Sequence, residues 1–142
     1  MNVFADTGPF VAFLNSGDVN HKSALEQFDK IDRTKGVFFT SDYVLDEVLS
    51  FATRKKPELV LYADEIIQQS ANICMLKVDD KTLTSSKMFM RKYPHMHLSL
   101  TDWTSVVLAR NHAIEKIYSY DSDFDKLRAM REFSRIKRVE EF

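Results

Sequence analysis

The chain has 142 residues, 44% of them hydrophobic and 29% charged, with a formal net charge of −1 at pH 7. That length suits a single domain over residues 1–142 with a sizeable core, and the near-zero charge excludes a global basic field for nucleic acid, leaving any such partner to local patches. The lone Cys74 excludes an intrachain disulfide and suits a reducing compartment; with no apolar run fit to span a membrane and no basic, apolar signal-peptide start, the expected location is the cytoplasm.

Val3-Phe4-Ala5 is an apolar run ending in Asp6-Thr7 and the turn signal Gly8-Pro9. It predicts a short strand buried on both faces, with Asp6 at its carboxyl end. Gly8-Pro9 opens a short helix through Phe10, Val11, Phe13 and Leu14, which ends near Ser16-Gly17. A second helix starts at about Asn20, with Ala24, Leu25, Phe28 and Ile31 on one face, and Gly36 breaks it. Val37-Phe38-Phe39-Thr40 reads as a buried strand. Ser41 or Asp42 caps the next helix, whose apolar stripe is Val44, Leu45, Val48, Leu49 and Ala52. Pro57 is placed to begin another, carrying Leu59, Tyr62, Ala63, Ile66 and Ile67.

A third strand is expected over Ile73–Val78, where Ile73 and Met75 suggest that Cys74 is a buried, inert thiol. Asp79-Asp80 starts a helix to about Lys92, Tyr93 to Ser99 is a loop, and Thr101 caps a helix to about His112. Lys116–Tyr120 is a strand, Asp121-Ser122-Asp123 a turn, and a short helix follows. The basic tail ends in an edge strand near Ile136–Val139. Strands alternating with helices, usually in pairs, predict an α/β three-layer sandwich whose mostly parallel sheet is covered on both faces.

Four acidic positions stand out, and each has a purely structural explanation. At about 100° per residue, Asp46 points away from the stripe centred on Val48, whereas Glu47 lies at the stripe's edge beside Phe51, with Arg54 nearly in line with it. Glu47 would ordinarily be a solvated helix flank. Asp102 at a helix start is favoured by the helix dipole alone, by about 0.3–1 kcal/mol, yet it shares the face of Val106, Ala109 and Ala113. Asp121 and Asp123 are common turn or cap residues, or strand-end carboxylates beside Asp6. Together these acids suggest one cleft. Packed carboxylates repel and their pKa values rise unless a cation neutralises them. A hard divalent cation such as Mg²⁺ does so with few carboxylates and a substrate phosphate. The chemistry implied is phosphodiester hydrolysis.

Val3-Phe4-Ala5-Asp6-Thr7, Thr40-Ser41 with Glu47-Val48-Leu49, Leu98-Ser99-Leu100-Thr101-Asp102, and Ser119-Tyr120-Asp121-Ser122-Asp123-Phe124 resemble, in order and spacing, the four signatures of PIN-domain ribonucleases. The resemblance covers essentially the whole chain and is strongest to the VapC type of toxin–antitoxin modules. It implies a parallel, about five-stranded sheet and a homodimer. It also implies Mg²⁺ or Mn²⁺ held by Asp6, Glu47, Asp102 and a fourth acid, either Asp121 or Asp123. Thr7 and Ser119 match hydroxyls that orient the acids or the water. Trp103 departs from the small residue many members carry there. The expected protein is an endoribonuclease with an RNA substrate, an antitoxin partner and no membrane. The alternatives are an RNA-processing PIN nuclease without antitoxin and a catalytically idle binding module.

Basic residues cluster at Arg54-Lys55-Lys56 and at Lys126, Arg128, Arg131, Arg135, Lys137 and Arg138. Each cluster is either a solvated face or a set of phosphate contacts, which makes Arg54 and Arg131 candidates to bind RNA. His95 and His97 lack partners for a zinc site, and with Tyr93 they suit base stacking or an exposed loop. Asp6-Thr7-Gly8 lacks the second acid of an aspartyl-phosphate enzyme. No Gly-rich phosphate loop and no Ser-His-Asp or Cys-His pattern is present.

Overall fold

A computed structural model describes residues 1–142. Strand β1 is Asn2–Ala5, with Val3, Phe4 and Ala5 fully buried. Helix α1, Thr7–Leu14, follows with Asp6 as its N-cap residue, and α2 is His21–Arg33. Helix α2 ends before Gly36 through Lys35, which takes the left-handed backbone (φ 53°) itself. Gly36 is required for space instead, because a Cβ there would stand 2.9 Å from Ile31 Cδ1 and 3.0 Å from Met1 O.

Strand β2 is Val37–Ser41, and α3 is Asp42–Lys55, capped by Ser41, whose side chain accepts from Val44 N. A 3-10 turn at Pro57–Leu59 leads into α4, Val60–Gln69. Strand β3 covers only Ile73–Leu76, shorter than expected because Val78 N leaves the sheet to bond Asp42 Oδ1 at 2.9 Å. Cys74 is exposed, not buried: β3 is the outer strand, so one of its faces meets solvent.

Helix α5 is Asp80–Lys92 and α6 is Leu100–Asn111. Residues Trp103 to Ala109 are all buried, as befits a helix packed on several sides, here against α5, α3 and β4. Trp103 is accommodated by stacking on Phe89, with centroids 5.6 Å apart and planes at 22°. Strand β4 is Lys116–Tyr118; 3-10 segments Ser122–Ala129 and Arg131–Phe133 precede β5, Lys137–Val139. No helix is long and apolar enough to cross a membrane.

The five strands are ordered β3-β2-β1-β4-β5 and every pairing is parallel. The chain builds outward from β1 on one side and then crosses back to build on the other. The crevice between β1 and β4, at their carboxyl ends, is therefore the topological switch point where such sheets place ligands.

Candidate functional site

Asp6 leaves β1 at that switch point. Its backbone N–H donates to Tyr118 O at 3.0 Å, which ties it to β4, and its side chain is only 6% exposed. Ser119, one residue past β4 and buried, donates its hydroxyl to Asp6 Oδ2 at 2.8 Å and accepts from Asp121 N at 3.1 Å. Asp6 Oδ1 is buried with no hydrogen-bond partner. A charged oxygen in that state is costly. Burial first, then the nearby Asp102 and Glu47 charges, push the Asp6 pKa up to about 7, against the lowering effect of Ser119 and the Thr7 backbone.

Asp102 comes from the first turn of α6. The cap there is Ser99, not Thr101: Ser99 Oγ accepts from Asp102 N at 3.1 Å and Ser99 N donates to Asp102 Oδ2 at 2.8 Å. This reciprocal capping box was legible as S-x-x-D and fixes the Asp102 rotamer. Burial pushes the Asp102 pKa up to about 6; the Ser99 hydrogen bonds oppose this, and Asp121 and Glu47 add repulsion.

Glu47 sits half-buried on α3 while Asp46 is exposed, as the helical geometry predicts. Thr7 Oγ1 donates to Glu47 Oε2 at 2.6 Å, locking α1 to α3 across the site. Thr40, on β2, donates its hydroxyl to Ala5 O at 3.1 Å and steadies the end of β1. Beyond Glu47 the surface opens into a cleft of about 420 Å³ walled by Thr7, Val11, Ser50, Phe51 and Arg54, with the exposed Asp46 also at its edge. Arg54 is exposed and forms no ion pair there.

Asp121 and Asp123 diverge. Asp121 is exposed, adds repulsion at Asp102, and accepts Asp123 N at 2.9 Å through Oδ1. Asp123 turns to Lys126 Nζ at 2.8 Å, and that bond holds its carboxyl below the usual range. Lys126 also donates to Met96 O at 3.2 Å, so Asp123 belongs to a tie between the segment after β4 and the loop before α6.

The C-terminal basic cluster does not come to the acids. Arg138 is spent on Asp125 at 3.0 Å, on Glu140 and on Ser119 O at 3.2 Å. Arg131 and Arg135 line a cavity with Ala113, Ile114 and Ile136. Those residues lie just before β4 and β5 begin, at the amino end of the sheet, whereas the acids lie at the carboxyl end. Arg131 thus falls out of the cleft for which the sequence suggested it. In a mostly parallel sheet the direction of the edge strand was open, and only the parallel pairing of β5 with β4 puts the residues before it at the amino end.

Asp6 is repelled by Asp102 and Glu47, and Asp102 by Asp121 and Glu47, so the four acids form one cluster. No three His, Cys, Asp or Glu side chains close into a ready-made ion cage. A site with one unpartnered carboxylate oxygen and two raised carboxyl pKa values fits a hard cation such as Mg²⁺, which needs only one or two carboxylates and retains water. Asp6 and Asp102 would hold it directly, with Glu47 and Asp121 around it.

No curated protein sequence matches the chain. Solved structures do share the fold. The Mycobacterium tuberculosis toxin VapC20, described as cleaving the sarcin–ricin loop, is 24% identical, with 87% of this chain and 92% of that chain covered at a TM-score of 0.76. VapBC2 from Rickettsia felis, bound to a DNA fragment from their promoter, is 13% identical, with 98% of each chain covered at a TM-score of 0.70. The PIN domain family model matches residues 3–130, nearly the whole chain. Sequence signatures, parallel sheet and acidic switch-point crevice agree with that match, and the chain belongs to the PIN domain family.

Proposed function

We propose that the chain is a divalent-cation-dependent endoribonuclease, acting as a single domain over residues 1–142 and as the toxin of a toxin–antitoxin pair. The observation that carries the nuclease reading is Asp6 Oδ1, a buried carboxylate oxygen with no partner, beside a second carboxylate of raised pKa. Likeness in fold to two proteins named as a toxin and a toxin–antitoxin complex supports the toxin reading. The substrate is RNA; the regulator is an antitoxin protein; the site of action is the cytoplasm, with the chain as a homodimer.

When bound, Mg²⁺ or Mn²⁺ supplies Lewis acidity toward the phosphate and the attacking water. Asp6 and Asp102 provide the negative charge that retains it. Ser119 and Ser99 each engage one oxygen of those carboxylates and leave the other to a cation. Glu47, held through Oε2 by Thr7, orients the attacking water and accepts its proton. Asp121 adds negative charge beside Asp102 from the β4 side, which a cation would offset. Arg54, about 10 Å along α3 from Glu47 at 1.5 Å per residue, holds a neighbouring phosphate of the strand.

The deciding experiment is cleavage of labelled RNA with Mg²⁺, with Mn²⁺ and with EDTA, by the parent and Asp6→Asn. Cation-dependent cleavage that disappears in the variant is the expected result. Equal cleavage by parent and variant in EDTA removes the cation and the role of Asp6 together.

A further inference from the structure

The amino end of the sheet carries a second charged cleft, remote from the acids. It is a cavity of about 270 Å³ with Ile114, Phe133 and Ile136 in its wall and three guanidinium groups, Arg110, Arg131 and Arg135, around it. None of the three forms an ion pair, although Glu115 and Glu132 also line the cleft. Arg110 is held in place by two aromatic rings, with its Cζ 5.5 Å from the Phe89 centroid and 5.2 Å from the Phe133 centroid. Contact of that kind holds the guanidinium against the rings, and with Nε donating to Asn111 Oδ1 at 3.4 Å the terminal N–H groups remain to donate.

Arginines crowded at one cavity repel one another, and Glu115 and Glu132, which form no ion pair with them, offset only part of that charge. A carboxylate is matched by one guanidinium fork, whereas a phosphate presents three or more oxygens and up to two charges to several forks. We propose that this cleft is a phosphate-binding site, distinct from the acidic crevice at the opposite end of the sheet. Arg110 is the preorganised anchor, and Arg131 and Arg135 close over the anion from the segment before β5. The apolar wall excludes water from the bound group, which strengthens these charge-assisted bonds. Glu115 and Glu132 set an upper limit on affinity by repelling the same anion. The phosphate comes either from a small phosphate ester or from the end of an RNA, and the site takes the group common to both.

The test uses the full chain carrying Asp6→Asn in EDTA, so that neither cleavage nor cation binding at the acidic crevice enters the readout. Inorganic phosphate, adenosine monophosphate, and a short RNA with either a 5′-phosphate or a 5′-hydroxyl are titrated by calorimetry at constant ionic strength. Saturable binding is expected. Arg131→Gln with Arg135→Gln should weaken it at least about tenfold, through loss of two charge-assisted contacts. Arg110→Lys, which keeps the charge and removes the fork, should also weaken it. Glu115→Gln should tighten it. Lys22→Gln with Lys30→Gln, which removes the same charge from α2, should leave it unchanged. Equal weakening by the lysine and arginine pairs, or no saturable binding by any probe, overturns the proposal. Binding of the two small probes assigns the site to a small phosphate ester. Preference for 5′-phosphorylated over 5′-hydroxyl RNA, with weak binding of the small probes, assigns it to an RNA end. Cleavage of RNA by the parent is measured separately, so failure of the ribonuclease reading and failure of this one are told apart.

Discussion

Replacing Asp6 by Asn should stabilise the cation-free protein while abolishing its activity. The Asp6 carboxyl has a pKa near 7 in the fold against an ordinary value of 3.8, a difference of about three units at about 1.4 kcal/mol each. Because the folded-state value lies above the unfolded one, the folded protein keeps its proton longer than the unfolded chain does. Stability therefore falls as pH rises from about 4 to about 7, and the loss is complete above that window. The cost of the ionised carboxylate is about 4 kcal/mol at pH 8 and about 2 kcal/mol at pH 5. Part of it is repulsion shared with Asp102, so the two residues' costs do not add. Asn keeps the shape and an oxygen for the Ser119 hydroxyl, and it turns the unpartnered Oδ1 position into a donor facing negative charge. For a chain of this length the melting temperature should rise by roughly 10 °C at pH 8 in EDTA, and by about half that at pH 5. Millimolar Mg²⁺ should raise the melting temperature of the parent by relieving the same repulsion, and should act much less on the variant. A variant that melts below the parent at both pH values, with an undiminished Mg²⁺ response, would refute both the electrostatic account and the assignment of Asp6 as the principal cation-holding group.

The remaining predictions concern the neighbours of Asp6. Glu47→Gln should lower RNA cleavage at least about a hundredfold, the scale of a lost acid–base group, while the exposed Asp46→Asn stays near the parent rate; the opposite ranking in a cleavage assay would displace Glu47 from the crevice. Ser99→Ala removes the cap of α6 and should cost about 1 kcal/mol in denaturant unfolding. It leaves the Ser99 backbone N–H on Asp102 Oδ2 in place, so Mg²⁺ affinity should stay near the parent's, and a large loss of affinity would show that the Ser99 hydroxyl also sets the Asp102 carboxylate. Water attack predicts 5′-phosphate and 3′-hydroxyl ends by mass spectrometry, and 2′,3′-cyclic phosphate ends would replace Glu47-assisted water attack with attack by the RNA's own hydroxyl. Arg54→Gln should flatten the salt dependence of RNA affinity by about one phosphate contact, whereas Arg138→Gln, whose guanidinium is engaged within the fold, should change thermal stability and leave that slope alone.

The order of elements, the burial of β1 and the identity of the acids were present in local pattern. A short apolar run that ends in an acid and is bounded by Gly8-Pro9 reads as a strand with a carboxylate at its end, and helical phase alone separated Glu47 from Asp46. Helix starts are legible to within one turn; Thr101 suits the cap of α6 by residue type, but the reciprocal Ser99–Asp102 pair satisfies two backbone N–H groups and moves the start two residues earlier. Exposure of Cys74 could not be read, because whether a strand lies inside a sheet or at its rim depends on the order of strands, which distant pairings set. The same holds for the basic tail. Arg131, Arg135 and Arg138 are alike in sequence, yet two line a cavity at the amino end of the sheet and one is locked between Asp125 and Glu140. Asp121 and Asp123 were indistinguishable until Lys126 engaged the second of them. Local sequence sets which side chains carry charge and which face of their own element they occupy. Where those faces meet, and which charges lose their water when they do, is decided by contacts between residues far apart in the chain, such as Ser119 on Asp6 and Thr7 on Glu47.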